Sequence, residues 1–217
     1  MHQRWNPVDV EQVECCLHLQ QNIVKAEIGT DTLRHVALET MNTSYPPDKW
    51  LHIFTDGCQM DGYINAGAGI DCQLFSCCMP LGQHSTASVG EIEAIRTTLR
   101  LLDLHQNKFE RAVIFSDSKA AILSAGSIET VISTEARDCQ ALIRQHRAKH
   151  KQTALQWIPG HCQIAGNEHA EALVKLTQTH IRKTSYHSIK PQLKQVFQSV
   201  YRHKLETKLS QKHGSKK

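Results

Sequence analysis

Four carboxylates stand where they could act together. Asp56 and Asp117 close the apolar runs Leu51-His52-Ile53-Phe54-Thr55-Asp56 and Ala112-Val113-Ile114-Phe115-Ser116-Asp117. Each therefore falls where a buried strand meets water, and ligand-binding residues in α/β sheets gather at such ends. Glu91 and Glu171 stand in the first turns of two helical patterns. Taken singly, each acid has an ordinary structural explanation. Asp before Gly forms turns and Asp before Ser-Lys starts helices. Ser88-Val89-Gly90-Glu91 has the form of a capping box, and Glu171 suits the positive end of a helix dipole. Taken together, two strand-end and two helix-start acids would converge in a mixed sheet, and carboxylates held together repel unless cations bind them. Carboxylate and water ligands select Mg²⁺, with Mn²⁺ as a substitute, over zinc. Two such ions about 3.5–4 Å apart can clamp the attacking water and the leaving oxygen of a phosphodiester, which would be hydrolysis at phosphorus.

The elements that must position these acids are legible from periodicity. Residues 51–57 read as a buried strand ended by a turn, and two further strands between Ala66 and Pro80, linked around Asp71, make an antiparallel meander with it. Ile92, Ile95, Leu99 and Leu102 recur at helical spacing, which predicts a helix from the capping box to about residue 104. A strand over 112–117 follows, then a short helix capped by Ser118, a helix over 134–148, and a fifth strand from Thr153 to Ile158 that contains Trp157 as a core residue. Pro159-Gly160 breaks it, and a loop leads to a last helix with Asn167 as cap and Ala170, Leu173, Val174 and Thr177 on its inner face. Three strands, helix, strand, helices, strand, helix predicts an α/β mixed sheet with helices on its faces.

The flanks differ from this body. Residues 1–48 are expected to be a helical flank, with helices around 9–26 and 30–41 ended by Tyr45-Pro46-Pro47. Residues 181–217 carry ten Lys/Arg against the single acid Glu206, a local charge of +9 that leaves −5 for residues 1–180 of a chain whose total is +4. Leu193, Val196, Phe197, Val200, Leu205 and Leu209 predict an amphipathic basic helix there, and a polyanion is its natural partner through counterion release.

Length and composition bound the rest. The 217 residues, 40% hydrophobic and 21% charged, suit one soluble domain with appendages. The first residues lack a signal peptide's apolar stretch and no run is long enough to span a bilayer, so the expectation is a cytoplasmic or nuclear protein, not secreted and with no membrane partner. The eight cysteines show no CxxC spacing and are expected to be reduced thiols, many of them buried.

Four segments carry a resemblance. Phe54-Thr55-Asp56-Gly57, Gly90-Glu91-Ile92-Glu93-Ala94-Ile95, Ser116-Asp117-Ser118-Lys119-Ala120-Ala121, and Trp157-Ile158-Pro159-Gly160-His161 with Gly166-Asn167-Glu168-His169-Ala170-Glu171 resemble, in order and spacing, the ribonuclease H domain of non-LTR retrotransposon polyproteins. The resemblance implies a ribonuclease H-like fold over residues 49–182, with a five-stranded mixed sheet whose first three strands are antiparallel, and a basic helical extension over 183–217. It implies an endonuclease that cuts the RNA strand of an RNA–DNA hybrid to 5′-phosphomonoesters with two Mg²⁺ ions. Asp56, Glu91, Asp117 and Glu171 would hold the metal, and His161 would assist water activation or product release, histidine being the side chain that exchanges protons near neutrality. Gly57, Cys58 and Asn167 are candidate contacts to the nucleic acid, which such an enzyme reads by duplex shape and 2′-hydroxyls. An upstream reverse transcriptase domain of the same polyprotein is the implied partner.

Two departures stand out. The family's fourth acid is generally Asp, and Glu171 carries an extra methylene that moves the carboxylate about 1.5 Å. Cys58 stands where a small hydroxyl residue is common. Both leave open an alternative, a weakened or inactive copy that binds nucleic acid without cutting it. A DNA-processing relative of the same fold is disfavoured because Glu91 lies between the two strand acids.

Overall fold

The computed structural model describes residues 14–21, 29–59, 65–83, 85–126 and 133–183. A six-stranded sheet has the order β1-β6-β5-β2-β3-β4. Strands β2 (Leu51–Gln59), β3 (Asn65–Cys72) and β4 (Ser76–Gln83) form the antiparallel meander, while β5 (Arg111–Ser116) runs parallel to β2 and β6 (Gln152–Trp157) parallel to β5. The helices are α1 (Thr30–Ser44), α2 (Ala87–Leu104), α3 (Lys119–Gly126), α4 (Thr134–Ala148) and α5 (Ala165–Lys183).

The sixth strand is a departure from expectation. Residues 14–16, expected inside a helix over 9–26, form β1 (Glu14–Cys16) and pair in parallel with β6, Glu14 opposite Ala154. An open strand edge offers backbone hydrogen bonds that outweigh a weak local helical pattern. The second helix of the flank is present as α1 and ends before Pro46-Pro47, where proline can no longer continue it.

Alternation along β5 explains its unbroken apolar run. Ala112 and Ile114 face one core, with Leu99, Leu102, Ile122 and Ile143 of α2, α3 and α4. Val113 and Phe115 face a second, with Val36, Ala37 and Met41 of α1, Tyr45, Trp50 and Ile158. A strand buried on both faces has no polar period to show. The N-terminal flank thus supplies one wall of the molecule's interior.

Three local expectations shift. The hairpin between β3 and β4 turns at residues 73–75, and Asp71 is still paired, with Ser76. The cap of α2 is Thr86, whose hydroxyl accepts from the Val89 amide at 3.3 Å, so Glu91 is no partner of a Ser88 cap. α5 begins at Ala165, two residues before Asn167, which is buried inside the first turn. Ser118, by contrast, caps α3 through the Ala121 amide as expected.

The chain divides into two compact units, Met1–Thr177 and Gln178–Lys217. The predicted basic helix over 193–209 lies outside the described residues. No helix among the described residues is long and apolar enough to cross a membrane.

Candidate active site

Parallel pairing of β2 and β5 sets Thr55 opposite Ser116, so the next residue of each, Asp56 and Asp117, leaves the pair at one level. Asp56 does not end its strand. β2 continues to Gln59, with Asp56 opposite Gly69 and Gly57 opposite Ala68, so Asp56-Gly57 is not the turn its sequence suggests. Gly57 serves a close approach instead, because a β-carbon there would lie 2.2 Å from the Glu91 backbone nitrogen. That contact lays the start of α2 on β2 and delivers Glu91 to the site.

One oxygen from each of Asp56, Glu91 and Asp117 lies within 4.8 Å of the others. Asp56 and Glu91 are 7% and 8% exposed, too little for water to screen three acids from one another. Burial first, then repulsion from Asp117, raises the Asp56 carboxyl to about 6. The same causes in the same order raise Glu91 to about 9, against hydrogen bonds from the Gly57 amide and the Ser116 hydroxyl. A buried all-oxygen donor set that resists its own ionisation is chemically fitted to a hard divalent cation, which would relieve that repulsion.

Glu171 approaches from the other side. A β-carbon on Gly69 would lie 2.2 Å from the Ala170 carbonyl oxygen, so α5 rests on β3 at the residue paired with Asp56, and Glu171 follows one position on. The Phe54 ring packs against Gly166 in the same way and fixes the first turn of the helix. Glu171 is close enough for its charge to act on Asp56, yet it stands outside the group of three. Its oxygens face Lys175 Nζ at 2.6 Å and His161 Nδ1 at 3.5 Å. The Lys175 hydrogen bond holds Glu171 below the usual carboxylate range.

His161 is 79% exposed at the rim and sits in the left-handed backbone region, φ 57°, as does Gln163 two residues on. Gly160 packs against Asp117. Cys58 and Gly57 are half-buried beside the acids, whereas Asn167 is 2% exposed. Trp157, expected in the core, is half-buried; its indole N–H donates to the Asp117 carbonyl at 3.0 Å and its ring carries the Lys119 ammonium 4.1 Å away. Sequence reasoning missed Ser116, Lys175 and Gly160 as members of the site. Only Lys175, one turn beyond Glu171, left a signal, the i,i+4 spacing of an acid and a base.

Residues 48–179 match the family model described as RNase H. The chain belongs to the RNase H family. Among solved structures, this RNase H domain is similar to RNase H1 from the halophilic archaeon Halobacterium salinarum NRC-1, at 17% identity over 58% of this chain and 95% of that one, with a TM-score of 0.45. No curated protein matches it. All four acids, together with β2 through β6, fall within the span that the RNase H family model covers.

Proposed function

We propose that the protein is an endoribonuclease that hydrolyses the RNA strand of RNA–DNA hybrids with two divalent cations, Mg²⁺ or Mn²⁺, and leaves 5′-phosphomonoesters. The observation that carries this reading is the meeting of Asp56, Glu91 and Asp117 within 4.8 Å in a chain of this family. Asp56 and Asp117, with Glu91, would hold the cations, and Glu171 would be the fourth ligand. The chemistry the cations supply when bound is charge neutralisation at phosphorus and activation of water. The protein's own groups do the rest. The Gly57 amide and Ser116 hydroxyl fix the Glu91 carboxylate, the Trp157–Asp117 bond fixes the loop behind β5, and His161, at the rim 3.5 Å from Glu171, would assist water activation or product release.

Gly57 and Cys58 lie beside the acids, where a duplex backbone would pass. Asn167, the third proposed contact, is buried in the first turn of α5, its side-chain oxygen without a hydrogen-bond partner among the described residues. On this reading residues 49–182 carry the catalytic fold between an N-terminal flank and a basic extension. A retroelement origin, an upstream reverse transcriptase partner and a cytoplasmic or nuclear site of action rest on the motif resemblance and the sequence. The test is incubation of purified protein with labelled RNA–DNA hybrid and with duplex DNA, each with Mg²⁺ or EDTA, alongside Asp56→Asn. Metal-dependent loss of the RNA strand alone, absent in the variant, is the expected result.

One observation favours the second reading, a weakened copy that holds hybrid without cutting. Glu171 already has a cationic partner in Lys175. Hybrid binding without cleavage in the same assay would select it.

A further inference from the structure

Of the four acids, Glu171 has the arrangement least like an empty ligand. Lys175, one turn along α5, places Nζ 2.6 Å from one carboxylate oxygen, and the other oxygen faces the His161 imidazole at 3.5 Å. The Glu171 side chain is 15% exposed and Lys175 is 62% exposed, so the acid is set into the surface and the ammonium reaches down onto it from solvent. The extra methylene of Glu over Asp has a consequence here. It lengthens the arm that holds the carboxylate, and a glutamate N-terminal to a lysine at i,i+4 has the favourable orientation for pairing.

A divalent ion that uses Glu171 has to replace an ammonium already present. Resting on the two-cation reading above, we propose that Lys175 is a built-in counter-cation for Glu171, a positioning residue that competes with the second ion and makes the fourth acid the weak arm of the site. Exposed ion pairs of this kind shift an equilibrium only about two- to fivefold. The competition therefore tunes the second ion's affinity and does not abolish its binding.

The experiment is titration of the full chain with Mn²⁺ alone, without nucleic acid, read by calorimetry and by the electron paramagnetic resonance of the free ion. The set comprises the native protein, Lys175→Met, Lys175→Arg, Glu171→Gln and Asp56→Asn. The expected result is a first ion lost in Asp56→Asn and unchanged in Lys175→Met. A weaker second ion should disappear in Glu171→Gln, bind about two- to fivefold more tightly in Lys175→Met, and return to its native affinity in Lys175→Arg. A second ion that binds Lys175→Met no more tightly than the native chain overturns the inference and leaves the two-cation reading standing. Absence of any Asp56-dependent ion overturns that reading, and the inference with it.

Discussion

Gly160 touches Asp117 so closely that a β-carbon on residue 160 would lie 2.1 Å from the carboxylate oxygen Oδ2. The neighbour that must yield is the far end of a side chain, not backbone. Gly160→Ala is therefore expected to cost the fold little, within about 1 kcal/mol. It should cost cleavage of order 100-fold, since a shift of about 1 Å at a reacting centre is worth that much. Thermal melts set beside kcat decide it, and a variant with native kcat would show that Asp117 does not need its observed position.

Gly57→Ala is the contrasting case. The atom in the way is the backbone nitrogen of Glu91, so helix α2 itself must move off β2. Overpacking against backbone should destabilise the domain by about 3 kcal/mol, and stability and activity should fall together. Denaturant melts give the first quantity. A Gly57→Ala protein as stable as the native one would contradict the contact.

Metal removal should invert the usual acid sensitivity. In the metal-free protein Asp56 and Glu91 take up protons more readily folded than unfolded, from ordinary values of 3.8 and 4.5 to about 6 and about 9. A folded-state pKa above the unfolded one gives stability that is complete below about pH 4 and lost as pH rises through the folded value. In EDTA, the melting temperature contributed by these two acids should therefore fall between pH 4 and 9, by an amount equivalent to a few kcal/mol. Excess Mg²⁺ at pH 8 should restore it. Glu91→Gln should remove most of the slope, and a native-like slope in that variant would refute the assignment.

Deletion of residues 1–48 should prevent folding of what remains. Leu33, Val36, Ala37 and Met41 of α1 cover Val113, Phe115, Ala154 and Ile158 on the sheet face. Each large apolar side chain so buried is worth about 1.5–3 kcal/mol, and together they rival the whole stability of a domain. Circular dichroism of a chain beginning at Lys49 is the measurement. A cooperative melt at the native temperature would mean that the flank is dispensable.

How much of this was legible in the sequence depended on whether a signal was local. The runs around Asp56 and Asp117, and the spacing of Ile92, Ile95 and Leu99, announce β2, β5 and α2 because burial imposes a period on contiguous residues. Glu91 had a local excuse, the Ser88 capping box, that dissolves once Thr86 is seen to cap the helix. The strand at 14–16 had no local signal, because three residues hold no period and its partner β6 is remote in sequence, Glu14 lying opposite Ala154. Asp56-Gly57 reads as a turn for a related reason: only the approach of α2 explains that glycine, and the approach is tertiary. Trp157 has a core residue's pattern, and its half-exposure under Lys119 follows from where β6 ends.

The pairing of Glu14 with Ala154 also sets an order of events. During synthesis β1 emerges before every other strand of the sheet yet can find its neighbour only after β6 has left the ribosome, and closing so long a loop is slow. The meander of β2, β3 and β4 with α2 uses only near contacts and can assemble meanwhile. The sheet's first strand in sequence is thus among its last to dock, and the edge beside β6 is closed after the meander has formed.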